Sequence, residues 1–318
     1  MTIAAGFVCS DGLVLFADTE EQEGYIKTNV EKIQKYPHSN CSLLIANAGN
    51  GFLADSLIDR IFDALPRKKS EAEIVKTIRK TIIDFHASEV ALYPDTQHRQ
   101  VGLILGIQLN GKSLLLHADS TALRRVKEFA VIGYGVEIKF LAQQLYIQGM
   151  PIKHGVLIAN YLVDMAKKHV QGCGGESRIA TLNDKGAEIM HNFDVWGHQF
   201  LFSHLATIYR AVLLSIPDEE ITDDQFKNCL DWFVEMAWRE RTDMLQTREY
   251  NREALEHMNA RGPIVRGALD RWYRQAEMDT NPLDRRRKMI KPTPRVNSLS
   301  ILADLMRRSV PEKSEDQQ

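Results

Sequence analysis

The sequence predicts an α+β protein in which helices stack outside sheets, followed by a helical appendage. Two observations carry this prediction. Short apolar runs rich in β-formers alternate with paired helical patterns, giving the order strands, two helices, strands, two helices, strands, rather than a simple βαβ alternation. After about Asn192 the pattern changes to helix alone. No internal repeat of roughly 20 to 50 residues is visible, which excludes a solenoid.

The elements follow in order. IAAGFVC and GLVLFA are split by Ser10-Asp11-Gly12, which reads as a hairpin with Gly12 at the positive-φ position of a three-residue loop. With Cys9 opposite Leu13, paired positions sum to 22, which sets Asp18 opposite Ala4 and on the face of Thr2. Further strands are expected over Cys41 to Ala46, Val101 to Gln108, Ser113 to Ala118, Glu128 to Ile132 and Ser177 to Leu182. A helix over Gly51 to Leu65 carries Phe52, Leu57, Ile58, Ile61, Phe62 and Leu65 near a 3.6 period. A second is opened by the capping box Ser70-x-x-Glu73. Two more helices run from Val136 to Gln148 and from Pro151 to His169, where His169 suits the negative end of the helix dipole. Past Asn192, Gly197 to Leu214 is strongly apolar, and Thr222-x-x-Gln225 opens a last helix with Phe226, Leu230, Phe233 and Ala237 as its stripe. That stripe suits a core or a subunit interface equally. From Asn281 the chain carries the basic run Arg285 to Lys288, prolines and the apolar-basic segment Leu299 to Arg308, expected to form a partly mobile tail, with a docking peptide as the second reading.

Composition excludes several classes. The 318 residues are 44% hydrophobic and 26% charged, which is ordinary for a globular protein and unlike a disordered or fibrous one. The net charge of −2, from 40 basic and 42 acidic residues, gives no reason to expect nucleic acid or a membrane as partner. Cys9, Cys41, Cys173 and Cys229 form no CxxC pair, so neither a zinc knuckle nor a disulfide scaffold is indicated, and a reducing cytoplasm fits best. No apolar run reaches membrane-spanning length, and the N-terminus has no signal-peptide pattern, so it reads as the start of the domain. Gly172, Gly174 and Gly175 do not form a GxGxxG and precede a strand, which argues against phosphate binding.

Thr2 stands directly behind Met1 at the head of a strand. Aminopeptidase removal of Met1 would give it a free α-amine, a nucleophile and base in one residue. Thr2, the run GLVLFADT with Asp18, NVEKIQKY with Lys32, LLIANAGN and HADSTALRRVKEFAVIGYG together resemble a proteasome β-type subunit, over roughly the first 190 residues. The resemblance implies an N-terminal-nucleophile hydrolase with a four-layer αββα sandwich, here with an α-helical C-terminal extension. It implies Thr2, Asp18 and Lys32 as the catalytic group, and the backbone N–H of Asn47 as oxyanion donor where the family usually has glycine. An α-amine of pKa about 7.7 to 8.0 can take the hydroxyl proton, a lysine favours the alkoxide, and an aspartate orients the lysine.

Three segments depart from the family pattern. Glu20 replaces a common arginine and is expected to shift substrate preference or to impair the site. Tyr134, within Gly133-Tyr134-Gly135, replaces a serine near the amine. VQGCGG places Val170 and Cys173 where the family has aspartate and serine, and valine can neither accept a proton nor a hydrogen bond. Cys173 reads more simply as a packing residue in a glycine-rich turn than as a reactive thiol, and Asp18 with Lys32 reads as a structural ion pair if the site is silent.

The domains expected are a hydrolase domain over 1–192, a helical extension over 193–280 and a tail over 281–318. The resemblance implies a ring-type homo-oligomer acting on peptide or unfolded polypeptide, with no cofactor or metal and with room for an ATPase partner. The alternatives are a catalytically inactive scaffold or assembly protein, and a hydrolase of small amides.

Overall fold

The computed structural model describes residues 2–23, 25–38, 41–65, 70–93, 99–133, 136–190, 192–217 and 220–260. In chain order the strands and helices are β1 (Ile3–Cys9), β2 (Gly12–Asp18), β3 (Glu20–Glu23), β4 (Ile26–Asn29), β5 (Ile33–His38), β6 (Cys41–Gly49), α1 (Gly51–Ala64), α2 (Glu71–Phe85), β7 (Val101–Leu109), β8 (Lys112–Asp119), β9 (Ala122–Val126), β10 (Phe129–Gly133), α3 (Val136–Leu145), α4 (Ile152–His169), β11 (Ser177–Asn183), β12 (Gly186–Ile189), α5 (Asn192–Ser215) and α6 (Asp223–Ala260). A π-helical turn, His86–Val90, extends α2. The expected basic run Arg285 to Lys288 and the segment Leu299 to Arg308 lie outside the described residues. No helix among the described residues is long and apolar enough to cross a membrane.

The chain divides into two compact units, Met1–Phe200 and Leu201–Gln318. The first holds two five-stranded sheets, in the orders β10-β1-β2-β11-β12 and β5-β6-β7-β8-β9, and a separate β3-β4 ribbon. Every pairing is antiparallel.

Three apolar clusters explain why the central strands read as near-continuous apolar runs. Along β2 every residue is buried, and alternate side chains join different clusters, as expected for a strand covered on both faces. Val14 and Phe16, with Ile3 and Phe7 of β1, join Ile138 of α3 and Leu162 and Val163 of α4. Leu13, Leu15 and Ala17 face the other way, into a cluster with Leu44 and Ala46 of β6 and Ile104 of β7. The opposite faces of β6 and β7, through Leu43, Ile45, Leu103 and Leu105, meet Leu57, Ile58 and Ile61 of α1 and Ile74, Ile78 and Ile82 of α2. Each such fully buried aliphatic side chain contributes roughly 1.5 to 3 kcal/mol.

Local signals read from the sequence recur in the structure. Both halves of the Ser70/Glu73 capping box are formed, and Thr222 with Gln225 forms the corresponding bonds at the start of α6. α1 starts on an N-cap, Asn50, whose side chain accepts from Leu53 N at 3.1 Å. The first hairpin differs from its expected register: Cys9 pairs with Gly12 and Ala4 with Ala17, so the loop is two residues, Ser10 and Asp11. Gly12 does take a positive φ, 148°, and a Cβ there would lie 2.2 Å from Leu182 O. The approach of β11 demands the glycine. With the register displaced by one, Asp18 is not opposite Ala4.

Candidate active site

The site lies at the open ends of β1 and β2, where the two sheets and the β3-β4 ribbon meet. Thr2 precedes β1 and Asp18 ends β2. Lys32 precedes β5, and its carbonyl accepts from Asn47 N of β6 at 3.1 Å. All three side chains belong to nearly inaccessible residues: Thr2 is 7% exposed, Asp18 0% and Lys32 3%.

Lys32 joins the group. Its Nζ donates to Thr2 Oγ1 at 2.8 Å and to Asp18 Oδ1 at 3.0 Å, and also to the carbonyl of Glu20. An ammonium has three protons, so its donor capacity is filled and its position fixed. Asp18 is held as firmly: Oδ1 also accepts from Ile3 N at 3.0 Å and Oδ2 from Gly174 N at 3.0 Å. The end-of-strand position lets Asp18 reach Lys32 despite the displaced register, because its carboxylate bends past the last residue of β2. Burial pulls the Lys32 pKa below the ordinary lysine value, opposed by the Asp18 carboxylate.

Glycines make this closeness possible. Gly133, with φ of 80°, sits against the threonine backbone: a Cβ there would lie 2.0 Å from Thr2 O. The turn after α4 contains Gly172 and Gly175 at φ of 79° and 66°. It presents Gly174 to the site, where the Gly174 carbonyl accepts from Thr19 N at 3.3 Å and Glu20 N at 3.2 Å. The glycine density of VQGCGGES thus serves to bring backbone amide and carbonyl groups against Asp18 and the start of β3.

The remaining expected site residues are distributed differently. The Asn47 N–H is spent on Lys32 O, so it is not a free oxyanion donor. Asn47 N faces β5 and Asn50 N bonds Gln100 O beside β7. Strand alternation therefore turns the Gly49 N–H to the Asn47 side, past Ile33, where pairing with β5 ends. Gly49, at φ of 107°, leaves no room for a side chain, since a Cβ would lie 2.1 Å from Gln100 O. The AG that follows IAN in the sequence was the available signal for it.

Glu20 meets Lys32 through its carbonyl. Its carboxylate lies against Gly174, with Lys27 Nζ 2.9 Å from Oε1 but without hydrogen-bond alignment. Its neighbour Glu21, not Glu20, lines the cleft at Thr2. Cys173 is 7% exposed beside this group, and its thiol is pushed up to about 12, chiefly by burial and then by Asp18, so it is neutral near pH 7. Val170 caps α4 with its N–H on Ala166 O at 2.8 Å and packs into the apolar cluster of β1, β2 and α4. Tyr134 and Met1 lie outside the described residues.

A small cleft of about 80 Å³ opens onto the threonine, lined by Thr2, Lys32, Asn47, Gly49 and, on its outer side, Glu21, Phe52 and Asp55. A larger open depression of about 420 Å³ lies on α1 and α2, lined by Glu73, Lys76, Lys80 and Asp84, with none of the groups above. Among the described residues no group of three or more His, Cys, Asp or Glu is arranged to hold a metal ion. The site offers a buried hydroxyl on a lysine, itself on a carboxylate, with a backbone N–H edge nearby, which is an arrangement for nucleophilic attack on a carbonyl.

No family model matches the sequence, and no curated protein matches it. Solved structures do: the fold is proteasome-like. Among the similar structures are Anbu proteins, one of them described as an ancestral β-subunit. Anbu from Yersinia bercovieri aligns with a TM-score of 0.56 at 13% identity, over 65% of this chain and 96% of its own. Anbu from Hyphomicrobium sp. strain MC1 gives 0.56 at 13%, over 69% and 100%. The Anbu complex from Pseudomonas aeruginosa, solved as a helical assembly, gives 0.55 at 14%, over 68% and 97%.

Proposed function

We propose that this protein is a proteasome-like threonine peptidase whose nucleophile is Thr2 once Met1 is removed. The observation that carries the reading is the Lys32 ammonium, 2.8 Å from Thr2 Oγ1 and fixed by Asp18 and the Glu20 carbonyl. The freed α-amine takes the hydroxyl proton, and Oγ1 attacks the amide carbonyl while Lys32 stabilises the developing charge. The tetrahedral oxyanion is received by the Gly49 N–H. Collapse expels the leaving amine, which takes the proton from the α-amine, and leaves an ester on Thr2. Water, deprotonated by the same amine, then releases the acid.

Three apolar clusters, one drawn from both sheets and two from a sheet with its helices, support the four-layer αββα sandwich. A hydrolase domain, expected over 1–192, a helical extension and a tail over 281–318 remain part of this reading, with the first boundary drawn near 200 because the start of α5 packs on the first unit. The helical assembly of the Pseudomonas aeruginosa Anbu complex supports self-association, as a ring or a helix. Four free cysteines suit a cytoplasmic setting. Peptide or unfolded polypeptide is the substrate class, and an ATPase partner belongs to the same reading.

The second reading, a silent scaffold, draws on Val170, an apolar residue where an amine-orienting carboxylate is expected. Intact mass before and after a peptide epoxyketone decides between them, because that adduct requires both the hydroxyl and the free amine of the threonine. A chain lacking Met1 that gains one inhibitor mass is the expected result. A chain that keeps Met1, or is trimmed yet takes up nothing, fits the scaffold.

A further inference from the structure

Helix α1 turns one face toward the cleft at Thr2. Phe52, Asp55 and Asp59 are spaced by three and four residues on that face, and Phe52 is 80% exposed. From β3, the Glu21 carboxylate crosses to the start of α1, so close that a Cβ at Gly51 would lie 2.4 Å from its Oε1. Glu21, Phe52 and Asp55 line the same cleft as Thr2.

The charges there are unbalanced. Lys32 is consumed by Thr2, Asp18 and Glu20. Glu31, also on the cleft, is held by Arg178 at 3.1 Å. Asp55 accepts from Gln34 Nε2 at 3.0 Å, a neutral donor; Glu21 feels the Lys32 charge from a distance, but among the described residues no cation forms a salt bridge with Glu21 or Asp55. Asp55 has its carboxyl raised above the ordinary value, first by partial desolvation, against the Gln34 hydrogen bond, and further by Asp59. A second observation marks the cleft as a place for a ligand. Thr2 is more than nine-tenths buried yet lines the cleft, and its hydroxyl, which accepts from Lys32 Nζ, meets no acceptor for its own proton among the described residues.

We propose that this cleft selects a peptide carrying a cationic side chain, lysine or arginine, beside the scissile bond, with Glu21 and Asp55 holding the charge and Phe52 flanking the apolar stem. The proposal rests on Thr2 being the nucleophile for its place in a reaction, but the selectivity itself is a property of binding. Two partly exposed carboxylates, each modestly favourable toward a cation, give roughly a tenfold preference at low salt.

The test separates the two readings. Matched fluorescent peptides with arginine, norleucine or glutamate at that residue are titrated against the full-length protein by anisotropy. The same three side chains, carried on peptide epoxyketones, are followed by intact mass. Arginine peptide binding about tenfold tighter than norleucine, with glutamate weakest, is expected whether or not the epoxyketones react, and the gap should narrow as salt rises. In Glu21→Gln/Asp55→Asn the arginine-to-norleucine ratio should fall toward one, and in Glu21→Lys/Asp55→Lys the order of arginine and glutamate should reverse, a gain that misfolding cannot produce. Equal binding of the three peptides to the unaltered protein, or a preference untouched by both variants, overturns the proposal. Absence of any epoxyketone adduct alongside a clear binding preference overturns the Thr2 nucleophile and leaves the cationic selectivity standing.

Discussion

Lys32 meets two demands that pull against each other. It has to be charged to steady an alkoxide at Thr2, yet it is almost wholly buried, and desolvation pulls its pKa below the ordinary 10.5. A lowered lysine pKa means that the folded protein releases this proton before the unfolded chain does. The buried charge therefore costs stability at neutral pH, and that cost is relieved as pH rises toward 10.5. Activity follows the opposite course. On the proposed mechanism kcat/KM rises as the α-amine deprotonates near about 8. It then falls on an alkaline limb set below 10.5 by Lys32, a bell measurable with any turned-over peptide. Lys32→Arg should remove that alkaline limb and lower kcat by roughly a hundredfold or more, because a planar guanidinium cannot place three donors tetrahedrally on Thr2, Asp18 and Glu20. An unchanged alkaline limb in Lys32→Arg would assign it to another group.

At the scale of elements, the long apolar strands, the four helices over 51–169 and the Ser70 capping box were legible, because period and capping act locally, whereas the Asn50 cap was found only in the structure. β3, β4, β5, β9 and β12 were not. They are short or carry charged and polar residues such as EEQE and IKTN, and they exist because longer neighbours offer an edge or a ribbon partner. The site residues Thr2, Asp18 and Lys32 were legible as a motif. The backbone groups around them, Gly174 N–H and Glu20 carbonyl, were not, since no side chain advertises a main-chain contact across 156 positions. Register failed for a related reason: Ser10-Asp11-Gly12 permits either loop length, and the choice falls to β11 pressing on Gly12. Glycine substitution separates local strain from site geometry. Gly133 and Gly111 have similar φ, 80° and 76°, but only Gly133 faces the Thr2 carbonyl, while nothing lies within 4 Å of a Cβ at Gly111. Alanine at either should cost about 1 to 2 kcal/mol of backbone strain in urea unfolding, and more at Gly133, whose Cβ would lie 2.0 Å from Thr2 O. Gly133→Ala should in addition abolish epoxyketone labelling, whereas Gly111→Ala should label at the unaltered rate. Equal labelling of the two would mean that Gly133 does not position Thr2.

On the scale of the whole chain, the question is where the first unit ends. The change of pattern near Asn192 marks the start of α5, but three side chains within its next two turns pack on the first unit. Val195 is 1% exposed in the cluster of β1, β2 and α4. His198 Nδ1 lies 3.1 Å from Asn160 Nδ2, deep under α4, where Asn160 is 0% exposed. Gln199 Nε2 donates at 2.6 Å to Ser177 Oγ, which also accepts from Lys167 at 3.3 Å, and Ser177 is paired across the sheet with Asp18. A chain ending at 192 therefore uncovers the apolar surface that Val195 packs against and strips partners from Asn160 and Ser177, each loss costing about 1 to 3 kcal/mol. A chain ending at 200 keeps all three. Urea unfolding of the two truncated chains should show the longer one more stable by several kcal/mol, with the Thr2 site still labelled, and the shorter one labelled weakly because Ser177 no longer steadies the strand beside Asp18. Equal stability of the two would return the boundary to 192 and make the first turns of α5 part of the helical extension.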